Sequence, residues 1–129
     1  MNILIADDQP ALLRTYTLFL SSEDHQVSAA ETAEKAFEIL QNDPIDLAII
    51  DFDFGDPLAK IRNGIELIIQ TRKSGIHIPI ILNTSFPGEA ENYIGKLAKS
   101  DKKQLGKMKL FFKLMLGSIR EAIETTLNS

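Results

Sequence analysis

Five residues carry the reactive chemistry of this sequence: Asp7 and Asp8 in "ILIADDQP", Asp51 in "LAIIDFDFGD", Thr84 in "IILNTS" and Lys113 in "KLFFK". Each closes a short apolar run with little or no spacer. An unpaired buried carboxylate is costly, so an acid placed there needs a cation, a donor or a reaction. Hard divalent cations take oxygen ligands, and Mg²⁺ typically binds one or two carboxylates together with waters and phosphate oxygens. Asp8 and Asp51 can supply those carboxylates, with Asp7 coordinating or orienting a water. A carboxylate also attacks phosphoryl groups to give an aspartyl-phosphate. That transfer depends on positioning and on neutralising charge at the phosphoryl oxygens, work suited to a cation, a hydroxyl and a lysine. Asp51 is then the nucleophile, Asp7 and Asp8 the metal acids, Thr84 the hydroxyl and Lys113 the ammonium. Singly, each has a plainer explanation as a helix cap, a strand end or an exposed lysine. Their order, and their placement at four strand ends, is what is specific.

The elements that must position these groups can be read from hydrophobic spacing. Short apolar runs occur at "NILIA" (2–6), "QVSAA" (26–30), "DLAII" (46–50), "IPIIL" (78–82) and "KLFF" (109–112). Between them, residues recur at helical intervals: Leu12, Leu13, Tyr16 and Leu20; Ala33, Ala36, Phe37 and Leu40; Ile65, Ile68 and Ile69; and, more weakly, Ile94, Leu97 and Ala98. The last helix is expected over "SIREAIETTL", with Ser118 and Glu121 at capping-box spacing. Pro10 suits the start of the first helix, Thr32 can cap the second, and "NDP" (42–44) closes it. Strand and helix alternating five times predict a parallel sheet with helices on both faces. Such a doubly wound sheet binds ligands beyond the carboxyl ends of its strands, where the five polar residues fall.

The 129 residues suit one domain with one core, and no repeat, low-complexity tract or linker divides them. At 44% hydrophobic and 25% charged the composition is that of an ordinary soluble globular protein. Without cysteine there is no disulfide framework, thiol chemistry or cysteine-held zinc. No apolar run reaches membrane-span length and no signal-peptide pattern opens the chain, which predicts a native start and a cytoplasmic location. His25 and His77 have no partner at metal-ligand spacing. Residues 96–113 hold seven lysines against the acid Asp101, a net +6, so that with a chain total of −4 the remainder carries −10. A solvated surface explains such a run most simply, and a contact surface for a partner is the functional alternative.

With these motifs in place, the chain resembles the receiver domain of bacterial response regulators along essentially its whole length, 1–129. "ILIADDQP" is similar to the family's first strand and acidic pair, "DLAIID" to its phosphoacceptor strand, "IPIILNTS" to its hydroxyl-bearing fourth strand, and "LFFK" to the fifth strand with its lysine. The resemblance implies a flavodoxin-like five-stranded sheet of order 2-1-3-4-5. It also implies that the backbone carbonyl of Asp53 completes an Mg²⁺ site with Asp7, Asp8 and Asp51. A histidine kinase or phosphotransfer protein would donate the phosphoryl group to Asp51, and small phosphodonors can often substitute. Phosphorylation would then shift Thr84 and the face formed by the family's fourth helix, fifth strand and fifth helix, changing partner affinity. The protein would be a phosphorelay component rather than an enzyme in its own right, with a homodimer open to it.

Several departures from the family pattern bear on that expectation. The stretch from Asp51 to Gly64 is long, and Gly55 replaces the usual proline. The stretch from Thr84 to Lys113 is also long and holds the lysines. Leu114 follows Lys113 where the family usually has a cis-proline, and Leu110 stands where an aromatic switch residue is common. Phe111 shares Lys113's side of an alternating strand, so it does not simply replace Leu110. Asp53 and Phe86, each two residues beyond a reactive position, are expected to tune phosphoryl lifetime. Two other readings compete: a degenerate receiver that docks without phosphorylation, and an aspartate-nucleophile phosphatase in which Asp53 is the acid-base. The phosphatase pattern needs a late acidic cluster, and here the acidic pair comes first. The lysines could also bind nucleic acid in a salt-dependent way, but no DNA-reading module follows, and direct DNA binding is not predicted.

Overall fold

The computed structural model describes residues 1–53, 58–112, 114 and 116–128. Its strands are β1 (Asn2–Ala6), β2 (Gln26–Ala30), β3 (Leu47–Asp51), β4 (Ile80–Thr84) and β5 (Met108–Phe112). They form one parallel sheet of order β2-β1-β3-β4-β5, as expected. The described helices are α1 (Pro10–Ser22), α2 (Ala33–Asn42), α3 (Gly64–Lys73), α4 (Pro87–Gly95), α5 (Lys99–Gln104) and α6 (Leu116–Leu127).

Apart from polar residues at their ends, the central strands are apolar, as suits a sheet covered on both faces. Successive side chains point to opposite faces, and the two sets join different helices. Ile3, Ile5, Leu47, Ile49 and Ile81 pack with Leu13, Tyr16 and Leu20 of α1 and Ile119, Ala122 and Ile123 of α6. Leu4, Ala6, Ala48, Ile50, Ile80 and Leu82 pack against the opposite layer, with Ala36 and Leu40 of α2, Ile65 and Ile68 of α3, Ala90 of α4 and Leu105. Burying one such aliphatic side chain contributes about 1.5–3 kcal/mol. An ion pair between Arg120 and Glu23 adds a surface link from α6 to the end of α1.

Local chemistry sets the helix starts. Pro10 opens α1, where its missing N–H costs nothing. The Thr32 hydroxyl accepts the Lys35 N–H at 3.1 Å and the Asn63 carboxamide accepts the Glu66 N–H at 2.9 Å, capping α2 and α3.

Several boundaries differ from the sequence-based expectation. β5 begins one residue earlier, at Met108, and β3 is displaced by one residue so that it includes Asp51, which pairs with Asn83. β4 is displaced by two residues, because Pro79 lacks an N–H and the ladder to β5 continues to the Thr84–Phe112 pair. The fourth interval holds two helices: α4 ends at Gly95, and Leu97 and Ala98 lie in the connection to α5. α6 begins at Leu116, which packs on the α1 side of the sheet, so Ser118 and Glu121 lie within the helix and form no cap.

One buried cation ties these elements together. Arg72, on α3, is 3% exposed. Its guanidinium donates to the carbonyls of Leu105 (3.0 Å), Lys107 (3.0 Å), Ile78 (2.6 Å) and Ile76 (3.3 Å). It thereby fastens the entries to β4 and β5 onto α3. Burial pulls its pKa down, yet a guanidinium stays protonated in proteins. Gly106, at φ +62°, lets the chain turn against this group, since a Cβ there would lie 3.1 Å from Arg72 Nε.

Candidate functional site

The carboxyl ends of β1 and β3 are adjacent in the sheet, and their acids meet. Carboxylate oxygens of Asp7, Asp8 and Asp51 lie within 4.8 Å of one another, Asp7 and Asp51 buried and Asp8 exposed. Asp7 Oδ1 also accepts the Gln9 N–H at 2.9 Å, which fixes the turn into α1. Three hard oxygen donors with one side open to solvent suit Mg²⁺, which keeps several waters when bound. The donor set therefore fits the cation expected from the sequence.

The third β-strand is held from behind. Gly64 opens α3 and donates its N–H to the Phe52 carbonyl at 2.9 Å. A Cβ at Gly64 would lie 2.3 Å from the Asp51 carbonyl oxygen. No side chain is tolerated at such an approach, and glycine is the residue that permits it. Asp53 is exposed, and its main chain pairs with Asn63 in an antiparallel bridge. Asp53 is thus held against Asn63, the residue that caps α3.

Thr84 ends β4, one residue past the partner of Asp51, and is fully buried. Its Oγ1 accepts the Phe86 N–H at 2.9 Å, so its own O–H is directed by what else lies near. Phe86 is 54% exposed, and Phe112, the strand partner of Thr84, is 68% exposed. Phe111 packs on the α1 and α6 side and Leu110 on the α4 side. By alternation Phe112 shares the face of Leu110 and Thr84. On β5 the exposed aromatic paired with Thr84 is therefore Phe112, while Leu110 holds the usual switch position. Lys113 and Gly55 lie outside the described residues.

Several participants escape a reading of the sequence. Tyr93 on α4 meets Phe52, the neighbour of Asp51, edge to face at 5.9 Å. Its hydroxyl donates to Glu66 Oε2 at 2.7 Å, and Glu66 also accepts from the Arg62 guanidinium (3.1 Å) and backbone N–H (2.9 Å). Burial alone would raise the Glu66 pKa, but these donors and the Arg62 charge outweigh it and hold the carboxyl below its ordinary range. Burial and the bond to Glu66 push the Tyr93 phenol up. The same groups line a groove of about 470 Å³ between α3, α4 and α5. Asn83 and Tyr16 are a second buried polar pair. The only advance signal for Asn83 is an amide inside an otherwise apolar strand.

Comparison with known proteins agrees with this geometry. The family profile of the response regulator receiver domain matches residues 3–103. The chain is 26% identical to the alginate biosynthesis transcriptional regulatory protein AlgB of Pseudomonas putida, over 95% of this chain and 29% of that protein. It is 31% identical to the virulence transcriptional regulatory protein PhoP of Salmonella typhimurium, over 68% of this chain and 37% of that one. The chain thus spans about a third of the length of these curated relatives. Among solved structures, a CheY-like receiver domain protein from Methanospirillum hungatei superposes with a TM-score of 0.75 at 21% identity, covering 98% of this chain and 93% of that one. Response regulator protein TrrA from Thermotoga maritima, in complex with Mg²⁺-BeF, gives 0.74 at 21% identity, with 97% of each chain covered. At these identities the structural likeness speaks for the fold alone.

Proposed function

The chain belongs to the response regulator receiver domain family, and from that membership we propose that residues 1–129 act as one receiver domain phosphorylated on Asp51. The observation that carries this reading is the meeting of Asp7, Asp8 and Asp51 beside the end of β4. An Asp51 carboxylate oxygen attacks the phosphorus of the donor, a P–O bond forms, and the bond to the donor's leaving group breaks with its electron pair. A histidine kinase or phosphotransfer protein is the donor in this reading. Asp7, Asp8 and Asp51, with the Asp53 carbonyl, would hold Mg²⁺, which when bound would supply positive charge facing the phosphoryl oxygens. The Thr84 hydroxyl, already accepting from the Phe86 N–H, donates a hydrogen bond to a phosphoryl oxygen. Lys113 supplies the ammonium. Asp53 and Phe86 flank the path of the water that later attacks phosphorus, and so set the lifetime.

The outcome is a shift between two surface states rather than a released product. The family's fourth helix, fifth strand and fifth helix correspond here to α4, β5 and α6, with α5 inserted among them. Phe112, exposed beside Thr84, offers that face an apolar contact. The exposed Lys96, Lys99, Lys102, Lys103 and Lys109 favour an acidic output partner. No described helix is long and apolar enough to cross a membrane, and a cytoplasmic site of action follows from the proposed donor.

The test is a backbone NMR titration with Mg²⁺ and then beryllofluoride, a phosphoryl mimic, on the wild type and on Asp51→Asn. Shifts at Asp8, Asp51 and Thr84 that spread through 86–113 and vanish in the variant are expected. A response to Mg²⁺ without one to beryllofluoride would leave a metal-binding domain that takes no phosphoryl group. Silence in both would leave a docking module.

A further inference from the structure

Thr84–Phe112 is the last pair of the β4–β5 ladder among the described residues. Leu114 lies between β5 and α6 in the chain, and both of its backbone polar groups are taken up by side chains from distant elements. Its N–H donates to Asn83 Oδ1 at 2.9 Å. Its carbonyl accepts from the Tyr16 hydroxyl at 2.7 Å. Asn83 Nδ2 in turn donates to the Tyr16 oxygen at 3.3 Å, closing a ring of three hydrogen bonds. Asn83 is 2% exposed and Tyr16 3%.

The placement of this ring matters more than its strength. Asn83 is the ladder partner of Asp51 and the residue before Thr84. Leu114 is the residue after Lys113. One amide therefore links the strand position beside the nucleophile to the peptide unit that follows the lysine. Buried backbone groups must be paired somewhere, and an apolar side chain at position 83 would leave the Leu114 N–H without a strand partner. Two buried polar residues from α1 and β4 supply a closed and fully matched solution, which holds one peptide in one orientation.

We propose that Tyr16 and Asn83 are positioning residues for phosphoryl binding, and that they act by fixing the Leu114 N–H and carbonyl, next in sequence to Lys113. The proposal rests on the phosphoacceptor reading of Asp51. An ammonium on a flexible four-carbon stem loses less freedom on binding when its tether is already fixed. Mg²⁺ binding by Asp7, Asp8 and Asp51 does not pass through Leu114, so the ring should affect one ligand and leave the other.

The decisive variant is Tyr16→Phe, which keeps the ring and removes the hydroxyl. Two readouts are needed: affinities for Mg²⁺ and for beryllofluoride, and the ¹³Cε signal of Lys113 at saturating beryllofluoride. The expected result is an unchanged Mg²⁺ affinity and a beryllofluoride affinity about tenfold weaker, the order of one charged hydrogen bond. The Lys113 shift seen in the wild type should be largely lost. Equal weakening of both ligands, or a wild-type Lys113 shift at saturation, would reduce the ring to a structural tie and overturn the proposal. If Tyr16→Phe does not fold, Asn83→Thr carries the same comparison. A wild type that binds Mg²⁺ but gives no beryllofluoride response overturns the phosphoacceptor reading itself, and with it this proposal.

Discussion

Gly64 shows how narrowly the space behind Asp51 is defined. Its Cα stands so close to the Asp51 carbonyl that a methyl group would overlap it. Gly64→Ala must therefore move the end of β3 or the start of α3, and overpacking of this kind costs about 1–3 kcal/mol. Urea unfolding should show that loss, and Mg²⁺ should bind more weakly because Asp51 moves with its backbone. Glu66 gives a prediction with a sign. Its folded-state pKa is lowered, so its contribution is fully present above the unfolded value and is lost as pH falls through the folded one. The stability gap between wild type and Glu66→Gln should be open at neutral pH and should close as pH falls through and below the lowered folded-state pKa. Residue type and strand-end placement made Asp7, Asp8, Asp51 and Thr84 legible in the sequence. Tyr16, Asn83 and Tyr93 were not, because their partners lie 98, 31 and 27 residues away and no spacing rule reaches that far.

Among the elements, α3 does more than cover the sheet. Through Arg72 it holds the chain before β4, at Ile76 and Ile78, and again before β5, at Leu105 and Lys107. Replacing Arg72 by Met fills the space but leaves four carbonyls without this donor, for an expected loss of about 2–4 kcal/mol. Hydrogen exchange should localise the effect, with amides near 105–108 opening at lower free energy than those of β1 or β3. Periodicity found all five strands and most helices, since one buried face imposes one spacing. It failed where a boundary depends on a neighbour. Pro79 and the β5 ladder move β4, and the contact of Leu116 with the α1 layer draws α6 forward past its apparent cap. The inserted α5 was hidden for a related reason: it buries none of its own residues, and so leaves no hydrophobic stripe to read.

For the molecule as a whole, a ligand that binds only the folded state stabilises it by mass action. Mg²⁺ at a hundred times its dissociation constant should add about 2.7 kcal/mol. Thermal unfolding should register this in the wild type, and much less at the same concentration in Asp51→Asn. The two faces of the sheet also differ in when they can close. The layer on one face is built from α2, α3 and α4, whereas α1 shares the other face with α6. On a ribosome making about 5–20 residues per second, Tyr16 waits roughly 5–20 s for Leu114 to be made. Throughout that interval Leu13, Tyr16 and Leu20 have no α6 to lie against. The nascent chain thus carries a half-open flank until α6 has been synthesised.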